Sequence, residues 1–365
     1  MDNFLKINKK INSVVKYEAG LSKLADKKKI IKLSSNENSF GASFKVKKIL
    51  SKLDNKVFRY PDPQGTKLKK AISKKYKVNK NNIICGNGSD EILATIAKIF
   101  SGPGDEILFS EYGFLMYPIA SQLAGAKGIK VKDINYRNSL KNFTKAITKK
   151  TKIIFIANPN NPTGTYLSNK ELKDFVSKLP KRILLVIDSA YAEYVNRKDY
   201  SSGFDFVKKN KNVIMTRTFS KIYGLAGLRL GWAYCPKYIV DIFNKVRLPF
   251  NINLAAIEAG VAALSDNKFY LKSVKHNSYY LEWLKKEIIN LGLIPIPSVA
   301  NFILVKFPGK GKFTAKNVNN YLLSKGIILR GVEAYGLKDF LRISIGKKNE
   351  LASLIKFLKI YFKKK

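Results

Sequence analysis

Between residues 82 and 234 the chain repeats one pattern: a short run of mostly apolar side chains, a longer amphipathic stretch, then another apolar run. Short continuous apolar runs belong to strands covered on both faces, and the helical periodicity between them supplies the covers. The pattern predicts an α/β fold with a mostly parallel central sheet flanked by helices. Strands are expected at 82–85, 106–109, 128–132, 152–156, 183–187, 213–216 and 229–234, with helices at 89–100, 169–178 and 238–245. From 254 to 291 the periodicity predicts one helical region with no strand-like break. Beyond it, 301–307 and 340–345 read as strands of a smaller sheet, and 314–325 and 348–362 as helices. This organisation predicts a large α/β domain over 45–250 and a linking helix starting at 251–259. A smaller α+β domain would combine the N-terminal arm, 1–44, with 260–365.

Residue usage narrows the chemistry. Two cysteines, Cys85 and Cys235, cannot build a disulfide framework or a four-ligand zinc site. One histidine, His276, would have to serve any Ser-His-Asp triad or HExxH zinc site, and its polar neighbours Lys275 and Asn277 place it at the surface. No metal site is expected. Catalysis falls to Lys, Tyr, Asp, Arg or a cofactor. The net charge of +42 raises the question of a polyanionic partner. Only 9 of the 68 basic residues are arginine, and the lysines are spread along the whole chain. A nucleic-acid reader would concentrate arginine on one element, so neither nucleic acid nor membrane is expected as a primary partner. Residues 1–20 lack the apolar core of a signal peptide, and the longest apolar runs are too short to span a bilayer. A cytoplasmic protein is expected.

Several motifs fall at the carboxyl ends of the expected strands. Cys85-Gly86-Asn87-Gly88-Ser89-Asp90-Glu91 joins a strand to a helix through glycines, a place where backbone N–H groups and a helix N-terminus converge on an anion. It is equally an ordinary capped turn, and it lacks the endings of the P-loop and dinucleotide fingerprints. Ile183-Leu184-Leu185-Val186-Ile187 ends in Asp188, a carboxylate at the ligand-binding edge of a parallel sheet or an N-cap for the next helix. Lys221 stands among small, hydroxyl and apolar residues, without the other lysines that usually accompany it; a partly desolvated lysine can form a Schiff base. In a chain that uses lysine by default, Arg229, Arg330 and Arg342 suggest planar, bidentate anion binding. Asn158-Pro159-Asn160-Asn161-Pro162-Thr163-Gly164 forms a rigid turn at the same sheet edge as Asp188 and Lys221.

Together these segments resemble the fold type I pyridoxal-phosphate (PLP) aminotransferases, and among them the histidinol-phosphate aminotransferase family. The match runs from Tyr17 to Ile345 through Asn-Glu-Asn at 36–38, Arg-Tyr-Pro-Asp-Pro-Gln-Gly at 59–65 and Gly-Ser-Asp-Glu at 88–91. It continues through Asn-Pro-Thr-Gly at 161–164, Asp-x-Ala-Tyr at 188–191, Ser-Lys at 220–221 and Ala-Gly-Leu-Arg at 226–229. Lys16, Ser39 and Ala42 stand where that family often has proline, and Ser189 where it often has glutamate. The resemblance implies PLP bound as a Schiff base to Lys221, which would also shuttle the substrate proton. Asp188 would pair with the ring nitrogen. Asn161 and Tyr191 would bond the ring 3-oxygen, and Phe114 would stack on the ring. Ser89, Asp90, Thr218, Ser220 and Arg229 would hold the phosphate, with Tyr60 reaching it from the other subunit of a homodimer. Substrate recognition would fall to Tyr17, Asn36, Asn38, Arg330 and Arg342. The implied reaction moves an amino group from L-histidinol phosphate to 2-oxoglutarate, in histidine biosynthesis. Aromatic amino acid aminotransferases and phosphothreonine-type decarboxylases would keep the same cofactor residues. A non-enzymatic polyanion binder, using the +42 charge, stands as the reading from another class.

Overall fold

The structure, a computed structural model, describes residues 20–24 and 30–363. Its largest sheet has seven strands in the order Ile83–Asn87, Leu230–Tyr234, Val213–Thr218, Leu184–Asp188, Thr151–Ala157, Glu106–Ser110, Lys127–Val131. Leu230–Tyr234 runs antiparallel to both of its neighbours; every other adjacent pair is parallel. Because side chains alternate across a strand, each continuous apolar run feeds two cores at once. Ile154, Ile156, Leu185, Ile187, Val213 and Met215 enter one core, while Ile153, Phe155, Leu184, Val186 and Ile214 enter the other.

The apolar runs are strands as expected, within a residue or two at their ends. Arg229 is an exception: it has φ 51° and lies just outside the strand Leu230–Tyr234, closing the short 3-10 turn Ala226–Leu228. That left-handed backbone turns its side chain away from the strand register. The 254–291 region is not continuous. It breaks into Leu254–Leu264 and Asn267–Asn290, because the Asp266 carboxylate caps a new helix through the Phe269 N–H. His276 is half-buried rather than at the surface. Its Nε2 lies 2.9 Å from the Gly346 carbonyl, and its ring packs against Phe40 and Tyr280.

A second, antiparallel sheet has the order Arg330–Gly331, Phe340–Ser344, Phe302–Lys306, Ile294–Ile296. Residues from the helices Asn267–Asn290, Ala315–Ser324 and Lys348–Lys363 pack with it into a third core around Leu284, Ile303, Leu322, Leu341 and Leu354. Ile31–Lys32 pairs in parallel with Ile327–Ile328, and the Ser344 N–H donates to the Leu33 carbonyl. These bonds bring Ser34, Ser35 and Asn36 alongside the last strand of the small sheet, facing the carboxyl edge of the large one.

Candidate active site

The parallel strands ending at Ala157, Asp188 and Thr218 open onto a cavity of about 320 Å3. Its floor is Asp188, 5% exposed, at the end of a strand whose five residues are all buried. One carboxylate oxygen accepts a hydrogen bond from the Tyr117 hydroxyl at 2.9 Å and the other from Thr216 Oγ1 at 3.0 Å. Burial pushes this carboxyl up to about 6, against the pull of the two hydroxyls. The sequence motif thus resolves toward the ligand edge: the side chain faces the cavity rather than capping a helix.

One end of the cavity suits an anion. The helix Gly88–Phe100 points its first turn there, with Ser89 and Asp90 on the wall. Arg229 crosses in front of that turn. Its guanidinium bonds Asp90 Oδ2 at 3.1 Å, Ser220 Oγ at 3.4 Å and the Ala226 carbonyl at 3.1 Å. A Cβ at residue 88 would lie 2.5 Å from Arg229 Nη2, and φ there is +81°, so only glycine lets helix and arginine meet. Gly231 is required too: a Cβ there would lie 2.3 Å from the Ser89 backbone nitrogen. Thr218 and Ser220 line the same end.

Lys221 is half-buried, with Nζ 3.3 Å from the Ser35 carbonyl and 5.7 Å from the Tyr191 ring centre. The Tyr191 hydroxyl accepts from Asn36 Nδ2 at 3.0 Å, and Asn36 Oδ1 accepts from Ser344 Oγ at 2.8 Å. Arg342, 6% exposed, donates to Asn161 Oδ1 at 2.5 Å and to the Ser34 carbonyl at 2.7 Å, with its face over the Phe302 ring. Arg330 sits beside Arg342 in strand register, so two guanidiniums enter from adjacent strands. Phe114 supplies an aromatic wall.

Most of the expected site residues therefore meet in one cavity, although they lie as far apart along the chain as Asn36 and Arg342. Three do not. Asn38 is buried outside the cavity, its amide nitrogen bonding the Ile222 carbonyl at 2.6 Å and Ser273 Oγ at 3.0 Å. It braces the N-terminal segment against the loop that carries Lys221. Tyr60 is 82% exposed, stacked on Phe250 away from this chain's cavity. Tyr17 lies outside the described residues. Conversely, Tyr117 and Tyr335 line the cavity and Thr216 bonds its floor, none of them singled out in the sequence. Tyr117 lies three residues past Phe114, within the same aromatic segment, and that spacing was the only available signal.

The donor set fits PLP on its own terms. It offers a primary amine for an aldehyde, a buried carboxylate for a ring N–H, an aromatic wall for a flat ring, and a glycine-lined arginine cradle for a phosphate. Comparison with known proteins agrees. The family model described as aminotransferase class I and II matches residues 28–358. A histidinol-phosphate aminotransferase of Pelagibacter ubique is 46% identical over 347 residues, covering 95% of this chain and 96% of the relative. One from Paramagnetospirillum magneticum is 44% identical over 343 residues, 94% of both chains. The crystal structure of histidinol-phosphate aminotransferase from Sinorhizobium meliloti, in complex with pyridoxal-5'-phosphate, superposes with a TM-score of 0.89 at 26% identity over 99% of both chains. The chain belongs to the class I and II aminotransferase family.

Proposed function

We propose that this chain is a PLP-dependent histidinol-phosphate aminotransferase. It takes the amino group of L-histidinol phosphate, leaving imidazole-acetol phosphate, and passes it to 2-oxoglutarate to give L-glutamate, a step of histidine biosynthesis. The observation that carries this reading is the convergence of Lys221, Asp188, Arg229 and the paired Arg330 and Arg342 on one cavity. Relatives of that name, 43–46% identical over nearly the whole chain, support the choice of substrate.

When bound, PLP supplies a carbonyl for the substrate amine and an electron-poor ring that takes up charge from the substrate carbon. The protein's groups then divide the work. Lys221 would hold PLP covalently, yield that place to the substrate amine, and carry the proton between Cα and C4′. Asp188, dry and hydroxyl-bonded, would keep the ring nitrogen protonated. Asn161 has its amide oxygen occupied by Arg342, which leaves its NH2 to donate to the ring 3-oxygen. Tyr191, already accepting from Asn36, would donate its hydroxyl proton to the same oxygen. Phe114 would cover the ring face. Arg229, Ser220, Thr218, Asp90 and the N–H groups from Ser89 onward would seat the cofactor phosphate. Arg330 and Arg342 would grip the substrate phosphate in one half-reaction and the 2-oxoglutarate carboxylates in the other, where bidentate pairing suits both. Asn36 and Tyr17 would complete that recognition.

The same proposal includes a homodimer. Val57, Phe58, Tyr60 and Leu248 are each more than two-thirds exposed, an apolar patch suited to a second copy of this chain, whose cavity Tyr60 would then reach. It also includes the division into a cofactor-bearing part over 45–250 and a substrate-covering part from 1–44 and 260–365, in a cytoplasmic enzyme. Among the described residues no helix is long and apolar enough to cross a membrane.

The test is the absorbance of the purified, PLP-loaded protein on adding L-histidinol phosphate without a keto acid. The yellow colour should fade and return with 2-oxoglutarate. A silent spectrum that responds instead to phenylalanine, tyrosine or phosphothreonine would keep the cofactor and overturn the substrate.

A further inference from the structure

We infer that Tyr117 is the positioning residue for Asp188: its hydroxyl sets the rotation of the carboxylate, and its ring sets the aromatic wall beside it. The inference rests on the reading of Asp188 as the partner of the cofactor ring. Carboxylate rotation about its last bond is intrinsically loose, because torsions of this kind have broad wells. Two hydroxyl donors on different elements, together with the Ala190 backbone N–H, remove that freedom. Tyr117 comes from the helix Met116–Leu123 and takes one oxygen; Thr216 comes from the neighbouring strand and takes the other. Tyr117 is fully buried, and burial together with the charge of Asp188 raises its phenol well above the usual range. It therefore stays protonated and can only donate to this carboxylate.

The ring is as constrained as the hydroxyl. It stacks on Phe155 with centroids 5.0 Å apart and planes 8° from parallel, and it meets Phe114 edge-on at 6.0 Å and 90°. Phe155 sits mid-strand in the sheet core, so the chain of contacts runs from a rigid strand through Tyr117 to both the floor and the wall of the cavity. A phenylalanine at 117 would preserve the stack and lose only the hydroxyl. Other ionisable groups acting on the Asp188 carboxylate are Asp90 and Tyr200, and Lys221 and Tyr191 line the same cavity.

Tyr117→Phe, Asp188→Asn and the double variant test this. In the cofactor-free protein, the Asp188 carboxyl is followed by infrared difference spectra against pH, with Asp188→Asn as the blank. Loss of one hydroxyl donor should raise its midpoint by about one pH unit in Tyr117→Phe. The dissociation constant for PLP should rise about tenfold, and kcat should fall about tenfold with KM for the amino donor unchanged. In the Asp188→Asn background the same substitution should change PLP affinity less than about twofold, since the two residues act as a unit. An unmoved infrared midpoint in Tyr117→Phe, or an equal loss of affinity in both backgrounds, overturns the inference and leaves Tyr117 as packing alone. The infrared result needs neither PLP nor substrate. It therefore decides the inference even if histidinol phosphate proves inert and the proposed function falls.

Discussion

Two carboxylates leave the same sheet edge five residues apart, equally buried and treated in opposite ways. Glu193, 6% exposed, accepts from Arg217 Nη1 at 2.7 Å and from the Tyr76 hydroxyl at 3.1 Å. The Arg217 guanidinium lies 5.0 Å from the ring centres of both Tyr76 and Phe204, which contact each other. Asp188 receives two hydroxyl bonds and, among the described residues, no ion pair. One strand serves both. In Val213–Thr218, Thr216 faces Asp188 on one side and Arg217 faces Glu193 on the other, as period-two alternation requires. A buried charge with its own cation holds the fold together. One held by neutral donors, with no cation of its own among the described residues, is a place for a cationic ligand atom to bind. The Tyr76 hydroxyl lies 2.8 Å from the Tyr223 hydroxyl, and Tyr223 follows Lys221 by two residues, so the paired charge also steadies the loop that works above the unpaired one.

Breaking the paired side should cost most. Glu193→Ala leaves Arg217 buried without a partner and should lower the unfolding free energy in denaturant by about 3–5 kcal/mol. Replacing both with apolar residues of similar volume should recover most of that loss; a double variant as unstable as the single would mean that the pair contributes more than mutual neutralisation.

On the unpaired side, Asp188→Ala should fold and bind PLP while turnover falls about 10^2–10^3-fold. Retention of ordinary turnover would remove the carboxylate from the mechanism. Lys221→Ala should bind PLP only non-covalently, and borohydride should then trap no cofactor on the chain.

The pH dependence of stability separates the two carboxylates further. The folded value of Asp188, about 6, lies above its ordinary 3.8, so the folded protein binds the extra proton between those limits. The contribution of Asp188 to the stability of the cofactor-free protein is therefore most favourable at acid pH. It is lost as pH rises from about 4 to about 6, by up to about 3 kcal/mol. Asp188→Asn should abolish that part of the wild-type curve. A wild-type minus variant difference that stays flat across this window would show that Asp188 ionises as readily folded as unfolded.

The smallest effect belongs to an exposed carboxylate. Glu171 caps its own helix with Ser168 and pairs with Arg137 at 2.6 Å, which holds its carboxyl down to about 2. Both partners are more than a third exposed, so solvent screens the pair, and Glu171→Gln should cost less than about 1 kcal/mol.

Much of the site was legible because its residues sit at strand ends. A continuous apolar run fixes where a strand stops, and the polar residue at its end must then face the carboxyl edge; Asp188 follows from that rule. Asn161, three residues past the first polar residue after its strand, follows only from the family resemblance. The glycines around Ser89 and the unaccompanied Lys221 stand out for local reasons too. Asn38 shows the limit. It is close in sequence to Asn36, yet Asn36 has φ 56° and joins Tyr191 and Ser344, while two residues later the chain has turned and Asn38 points into the body of the protein. A backbone turn of that kind leaves no mark in side-chain pattern. Tyr117 and Thr216 were illegible for a different reason. In sequence they are one more aromatic and one more hydroxyl on elements that need such residues for packing.

From the sequence alone came the parallel α/β sheet, the motif-bearing loops along its carboxyl edge and the family resemblance that names a cofactor. All of these rest on local periodicity and on short segments whose spacing is preserved. Only the tertiary structure decided which buried charge is neutralised and which is left to bind. That choice depends on which face of a strand meets which neighbour across nearly thirty residues of intervening chain. Side-chain pairing at that range is set by sheet order and by packing against the core, neither of which is written in any one segment.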